Sequence, residues 1–136
     1  MLKLFAGLKG SGKTKHLIEL VNAAQEKTNG NVICIEQGNK LIHELKHEVR
    51  LIDVSIYGVS GWEKLYGLVC GILAANYDIT DLFIDSALKI CGEDIDGFAR
   101  FTEKVLPLLE KDNITFTMTV SIETEKIPEP LKKYLA

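Results

Sequence analysis

Short apolar runs alternate with amphipathic stretches along the whole chain. Leu2–Ala6 reads as a strand and Gly7–Gly12 as a glycine-rich turn. Lys13–Lys27 then places Leu17, Leu20, Val21 and Ala24 at helical spacing, and Asn29-Gly30-Asn31 ends that helix with turn chemistry. Val32–Ile35 is a short, β-branched run with the character of a buried strand. Lys40–Val49 is polar and ambiguous, with a short helix as one reading. Arg50–Tyr57 predicts a third strand, Trp62–Tyr77 a strongly apolar helix, and Asp81–Ser86 a fourth strand ending in a polar pair. In the second helix Gly67 and Gly71 lie four apart, and the preferred reading packs that bare face on the sheet. Asp96–Lys111 is helical in pattern, with Phe98, Phe101, Val105, Leu108 and Leu109 inward, and Pro107 predicts a kink or an early end. Ile114–Ile122 alternates cleanly, with Ile114, Phe116, Met118, Val120 and Ile122 on one side and Thr115, Thr117, Thr119 and Ser121 on the other. Strands separated by helices predict an α/β fold, a three-layer sandwich around a mainly parallel five-stranded sheet.

Composition narrows the functional classes. The 136 residues suit one domain spanning 1–136. A net charge of −3, with only Arg50 and Arg100 among 16 basic residues, argues against duplex nucleic acid as a partner. Cys34, Cys70 and Cys91 are odd in number and lack metal-ligand spacing, so they read as reduced, buried thiols. No apolar run is long enough to span a membrane, and Met1–Gly10 lacks a signal-peptide apolar segment. The expectation is a soluble, cytoplasmic protein.

One segment carries chemistry. Gly7-Leu8-Lys9-Gly10-Ser11-Gly12-Lys13-Thr14 fits G-x-x-x-x-G-K-[ST], the P-loop, and it follows a strand and opens a helix. Gly10 and Gly12 let the backbone curl with its N–H groups inward, and the helix start adds its positive end. Gly7, Lys9, Gly10, Ser11, Gly12, Lys13, Thr14 and Lys15 are therefore the candidate nucleotide-binding residues. Lys13 is expected on the β- and γ-phosphates and Thr14 on Mg²⁺. A second metal-side carboxylate belongs at the end of another strand, and Leu82-Phe83-Ile84-Asp85 supplies it. Asp53 is a weaker competitor because apolar residues follow it. The position after Asp85 is Ser86, so the Glu that many such ATPases place there is missing. Glu36, at the end of the second strand, is the best substitute for orienting water, since ligands of open α/β sheets bind at that edge. Glu93 and Asp94 are weaker candidates. His43-Glu44-Leu45-Lys46-His47 fits H-E-x-x-H, but the segment is short and polar and no third zinc ligand is evident.

Together these residues resemble the ATPase core of RecA-like proteins. The resemblance rests on the P-loop Gly7–Thr14, on Glu36 at the end of the second strand, and on Asp85-Ser86 after a hydrophobic strand, and it runs through residues 1–122. It implies the P-loop NTPase fold with strands in the order third, second, fourth, fifth, first. It also implies that Ser121 or Thr119 senses the γ-phosphate. The later strands and DNA-binding loops of that family have no counterpart here, so strand pairing is not expected. A central strand that is half Thr and Ser either packs small side chains under a helix or opens that face to a partner, such as a second copy of the chain.

The leading expectation is an ATP-binding protein with slow Mg²⁺-dependent ATPase activity, in which Lys13, Asp85 and Glu36 do the chemistry. An arginine on the γ-phosphate is worth ~10³–10⁵ in rate. With Arg100 the only nearby one in sequence order, turnover is expected to depend on a protein partner or homodimer. A small-molecule kinase is the less favoured enzyme, because no arginine-rich lid segment is present. A non-catalytic nucleotide sensor is the third reading. No N-K-x-D string reads guanine, which favours ATP, and Tyr134 or Pro128–Pro130 are the candidate covers for the base.

Overall fold

A computed structural model describes residues 1–136. Five strands, β1 (Leu2–Gly7), β2 (Asn31–Glu36), β3 (Arg50–Asp53), β4 (Ile79–Ile84) and β5 (Thr115–Ser121), form one sheet in the order β1-β5-β4-β2-β3. Every pairing is parallel. Four helices connect or flank them: α1 (Lys13–Lys27), α2 (Trp62–Ala75), α3 (Ala87–Ile90) and α4 (Ile95–Lys111). Two 3₁₀ turns, Thr124–Lys126 and Glu129–Tyr134, carry the chain back to the free edge of β1, where the Ala136 N–H donates to the Leu4 carbonyl at 2.9 Å. None of the helices is long and apolar enough to cross a membrane.

The two sheet faces differ. Register pairs Cys34 with Phe83 and Phe83 with Thr117, so these side chains share the face that α1 covers. That face holds a core of 8 buried hydrophobic residues, including Leu17 and Val21 of α1. The opposite face holds 26, contributed by α2, α3, α4 and the alternate strand residues such as Ile35, Ile84, Phe116 and Met118. The layers are therefore α1 with the 40–49 segment, the sheet, and α2–α4.

Several expectations change. The 40–49 segment is a series of turns, because Asn22 on α1 accepts from the Lys46 N–H at 2.9 Å and donates to the Glu44 carbonyl at 3.0 Å. His43 and His47 thus share no helix face, and no group of three His, Cys, Asp or Glu side chains is arranged to hold a metal. The third strand stops at Asp53, whose Oδ1 accepts from the Ser55 N–H, the Ser55 hydroxyl and the Gly38 N–H at 2.9, 2.6 and 2.7 Å and turns the chain. Helix α4 runs through Pro107 to Lys111 without ending early. Glu103, whose carbonyl loses its partner, and Pro107 both lie on the solvent side, while Val105, Leu106 and Leu109 stay buried around them. The Thr face of β5 is covered: Thr117 and Thr119 are 3% and 1% exposed, which removes it as a dimer surface. Gly67 and Gly71 do not pack on the sheet either, since an added Cβ at each would meet nothing within 4 Å.

Candidate functional site

Strand β1 ends at Gly7 and the chain turns through Leu8–Gly12 into α1. Gly10 and Gly12 hold φ values of 89° and 87°, left-handed backbone that a side chain would strain, although open space surrounds both Cα atoms. Crowding by protein atoms is thus not what demands glycine there. Gly12 is the N-cap of α1, with no side-chain cap and no acidic residue in the first turn. From Lys9 to Lys15, only the Ser11 N–H has a backbone partner, the Leu8 carbonyl at 3.2 Å. The amides of Lys9, Gly10, Gly12, Lys13, Thr14 and Lys15 are left without one. Helix starts leave such donors open, and here the glycine loop extends the set.

These residues line a cavity of about 800 Å³. Its walls also include Lys40, Asp85, Ser86, Lys89, Glu93 and Ser121, and no hydrophobic residue. Five lysines against two carboxylates give the lining a formal charge of +3. The Lys13 ammonium rests on the loop itself, 3.0 Å from the Leu8 carbonyl and 3.3 Å from Ser11 Oγ. Burial lowers its pKa from the ordinary lysine value, and the Asp85 charge partly opposes the shift.

Of the eight nucleotide-binding candidates, Lys9, Gly10, Gly12, Lys13, Thr14 and Lys15 line the cavity. Gly7 and Ser11 do not line it; a side chain at Gly7 would run into Ser11 Oγ and approach the Lys13 stem. The two metal candidates come together: Thr14 Oγ1 donates to both Asp85 oxygens, at 3.2 and 3.3 Å. A hydroxyl and a carboxylate are hard oxygen donors of the kind Mg²⁺ takes beside substrate phosphates, so this pair fits that ion.

Asp85 is 6% exposed and held from three sides. Its N–H continues the sheet to the Ile35 carbonyl at 2.9 Å. Thr119 donates to its Oδ1 at 2.6 Å, and the same Thr119 oxygen accepts the Ser86 N–H at 2.7 Å. Ser86 is left-handed, with φ 56°, a conformation costing a non-glycine residue ~1–2 kcal/mol. Thr119 therefore fixes both the carboxylate and the strained turn after it. Of the two sensor candidates, Ser121 lines the cavity and Thr119 lies behind Asp85.

Glu36 stands elsewhere. It is 2% exposed, does not line the cavity, and accepts the Leu41 N–H at 3.2 Å, which holds the loop after β2. Burial raises its pKa above the ordinary 4.5, the Leu41 N–H opposes this, and the Asp85 charge adds to it. Asp53 serves its own turn and does not reach the cavity. Asp94 caps α4 through the Gly97 N–H at 2.9 Å, whereas Glu93 lines the cavity. Neither Arg50 nor Arg100 lines it, and Tyr134, Pro128 and Pro130 border a separate groove beside Pro107. The expected base cover and the expected nearby arginine are both absent from the cavity wall. Cys34 and Cys91 are buried and Cys70 half-buried, all unpaired; burial pushes the Cys34 thiol up and the Cys91 thiol up to about 12, so neither is a nucleophile at neutral pH.

Sequence reasoning missed Lys40 and Lys89. Each is a lone lysine after a strand, and only the folded sheet brings both to the cavity beside the Gly7–Thr14 loop. No protein-family model matches this chain, and a search of curated proteins gives no match.

Proposed function

We propose that this protein binds a nucleoside triphosphate, ATP in the leading reading, at the Gly7–Thr14 loop and hydrolyses it slowly with Mg²⁺. The observation that carries this is the set of partnerless amides of Lys9, Gly10, Gly12, Lys13, Thr14 and Lys15 around a lysine-rich cavity, with Thr14 and Asp85 paired at its side. The strand order supports the RecA-like resemblance, because from the other edge it reads β3-β2-β4-β5-β1. Three free thiols fit a reducing compartment, the cytoplasm.

In this reading the loop amides and Lys13 bind the β- and γ-phosphates, with Lys13 leaving the Leu8 carbonyl to do so. Thr14 and Asp85 are the side chains that would hold Mg²⁺, which supplies charge neutralisation on the phosphate oxygens when bound. Thr119 keeps the Asp85 carboxylate in place. Ser121 lies within reach of the cavity as a polar contact. Slow turnover follows from two placements: Glu36 is engaged with Leu41 outside the cavity, and no guanidinium lines it. A partner that supplies an arginine would raise the rate. The same two placements favour a second reading, a nucleotide sensor in which binding, not hydrolysis, is the output.

Calorimetric titration of ATP with Mg²⁺, paired with phosphate release, separates these readings. Lys13→Ala is expected to weaken ATP about 10- to 150-fold, the worth of one charge-assisted contact of ~1.5–3 kcal/mol, with little change in melting temperature. Release above background in wild type that falls in Lys13→Ala supports the ATPase, and tight binding with background release supports the sensor. No binding at millimolar ATP removes both.

A further inference from the structure

We propose that this site recognises the phosphate chain and does not read the nucleobase, so that its ligand class is the Mg²⁺ complex of any nucleoside triphosphate or of inorganic tripolyphosphate. This rests on the triphosphate reading above and specifies which part of the ligand is recognised. Sites for organic ligands are lined mainly by apolar and aromatic side chains, with a few polar groups that set orientation. No hydrophobic or aromatic side chain lines this cavity. A base that stacks on a ring gains ~1–3 kcal/mol, and none of the aromatic rings stands in the wall. Phe5, the ring of β1, is engaged edge-on with His16, ring centroids 4.8 Å apart, and Tyr134 belongs to the groove by Pro107.

The cations are distributed as an extended polyanion requires. Lys9, Lys13 and Lys15 come from the loop and helix after β1, Lys40 from the loop after β2, and Lys89 from α3 after β4. In the sheet β1 and β2 are three neighbours apart, which is ~14 Å at ~4.8 Å per strand. Lys13 and the amides account for one end of a phosphate chain. Lys40 and Lys89 give further charge on the β2 and β4 side, where a single phosphate held by the loop has no need of it. Ammonium and amide donors bond phosphate oxygens regardless of the base attached. The lack of a guanine-reading string then means absence of discrimination, not preference for adenine.

The test is calorimetric titration of the full chain with ATP, GTP, CTP, UTP and sodium tripolyphosphate, each with Mg²⁺, on wild type and on the double variant Lys40→Ala, Lys89→Ala. The five dissociation constants are expected within about fivefold, the least that one stacked base contributes. The double variant is expected to weaken all five by a common factor. A spread beyond fivefold, whichever ligand binds tightest, overturns the proposal. So does a double variant that leaves all five unchanged or weakens only some. If none of the five binds wild type, the triphosphate reading itself has failed, an outcome distinct from base selectivity.

Discussion

The two faces of the sheet divide the work of the molecule. The face under α2, α3 and α4 buries 26 hydrophobic residues, among them Phe98, Phe101 and Phe116, and carries no part of the cavity wall beyond the ends of α3 and its flanking turns. The face under α1 buries only 8, and its buried positions near the carboxyl edge are polar: Glu36, Asp85 and Thr119. Parallel sheets ordinarily bury apolar side chains on both faces. Here one face concentrates the packing, and the other accepts buried polar groups because they bond to one another and to the turns around the loop. Thr119 satisfies Asp85 and Ser86 at once, so the polar positions cost less than their burial alone suggests.

Substitutions on the two faces should therefore separate stability from binding. Phe101→Ala, in the larger core, is expected to lower unfolding free energy by ~3–5 kcal/mol, read by denaturant titration, with the ATP dissociation constant of the remaining folded protein unchanged. Equal loss of affinity would mean that the faces are coupled. Thr119→Val, on the smaller face, keeps the volume and strips the hydroxyl from Asp85 and Ser86. It is expected to cost ~1–3 kcal/mol of stability and, unlike Phe101→Ala, to raise the Mg²⁺ concentration needed for ATP binding. A variant that loses stability with an unaltered Mg²⁺ requirement would reduce Thr119 to packing.

The smallest effect belongs to Glu36. Its folded pKa is raised by burial and by the Asp85 charge, so the fold favours the protonated form. The stability it contributes is full below the unfolded value of 4.5 and is lost as pH rises through the raised folded value. Glu36→Gln, which can still accept the Leu41 N–H, is expected to melt higher than wild type at neutral pH, with the difference closing below pH 4.5. A melting difference independent of pH would place the effect in packing instead.

Much of the fold was legible because its signals are local. Lys13–Lys27 appears with its predicted bounds, since the periodicity of Leu17 and Val21 and the Asn29-Gly30 turn agree. The turn at Gly7–Thr14 was legible for the same reason: its glycines, its lysine and its threonine lie within eight residues. The misreadings come from side-chain hydrogen bonds that no hydrophobic pattern encodes. Ser55 and Gly38 end the third strand early through the Asp53 side chain. Asn22, 22 and 24 residues before the Glu44 and Lys46 that it bonds, turns the Lys40–Val49 segment. The alternation of Thr117 and Thr119 was read correctly as a face, but what covers it depends on α1, which no strand pattern encodes. Lys40 and Lys89 reach the cavity only because the sheet brings the ends of β1, β2 and β4 to one edge, and Glu36 stays off the cavity wall, bonded to the Leu41 N–H.

The central claim is that the loop amides grip a phosphate chain. Nitrogen-15 chemical-shift mapping during titration with Mg²⁺–ATP addresses them individually. The account predicts that the largest shifts fall on the amides of Lys9, Gly10, Gly12, Lys13, Thr14 and Lys15, and that Lys13→Ala suppresses them. Unmoved loop amides at saturating ATP, or shifts centred on another part of the molecule, would contradict it.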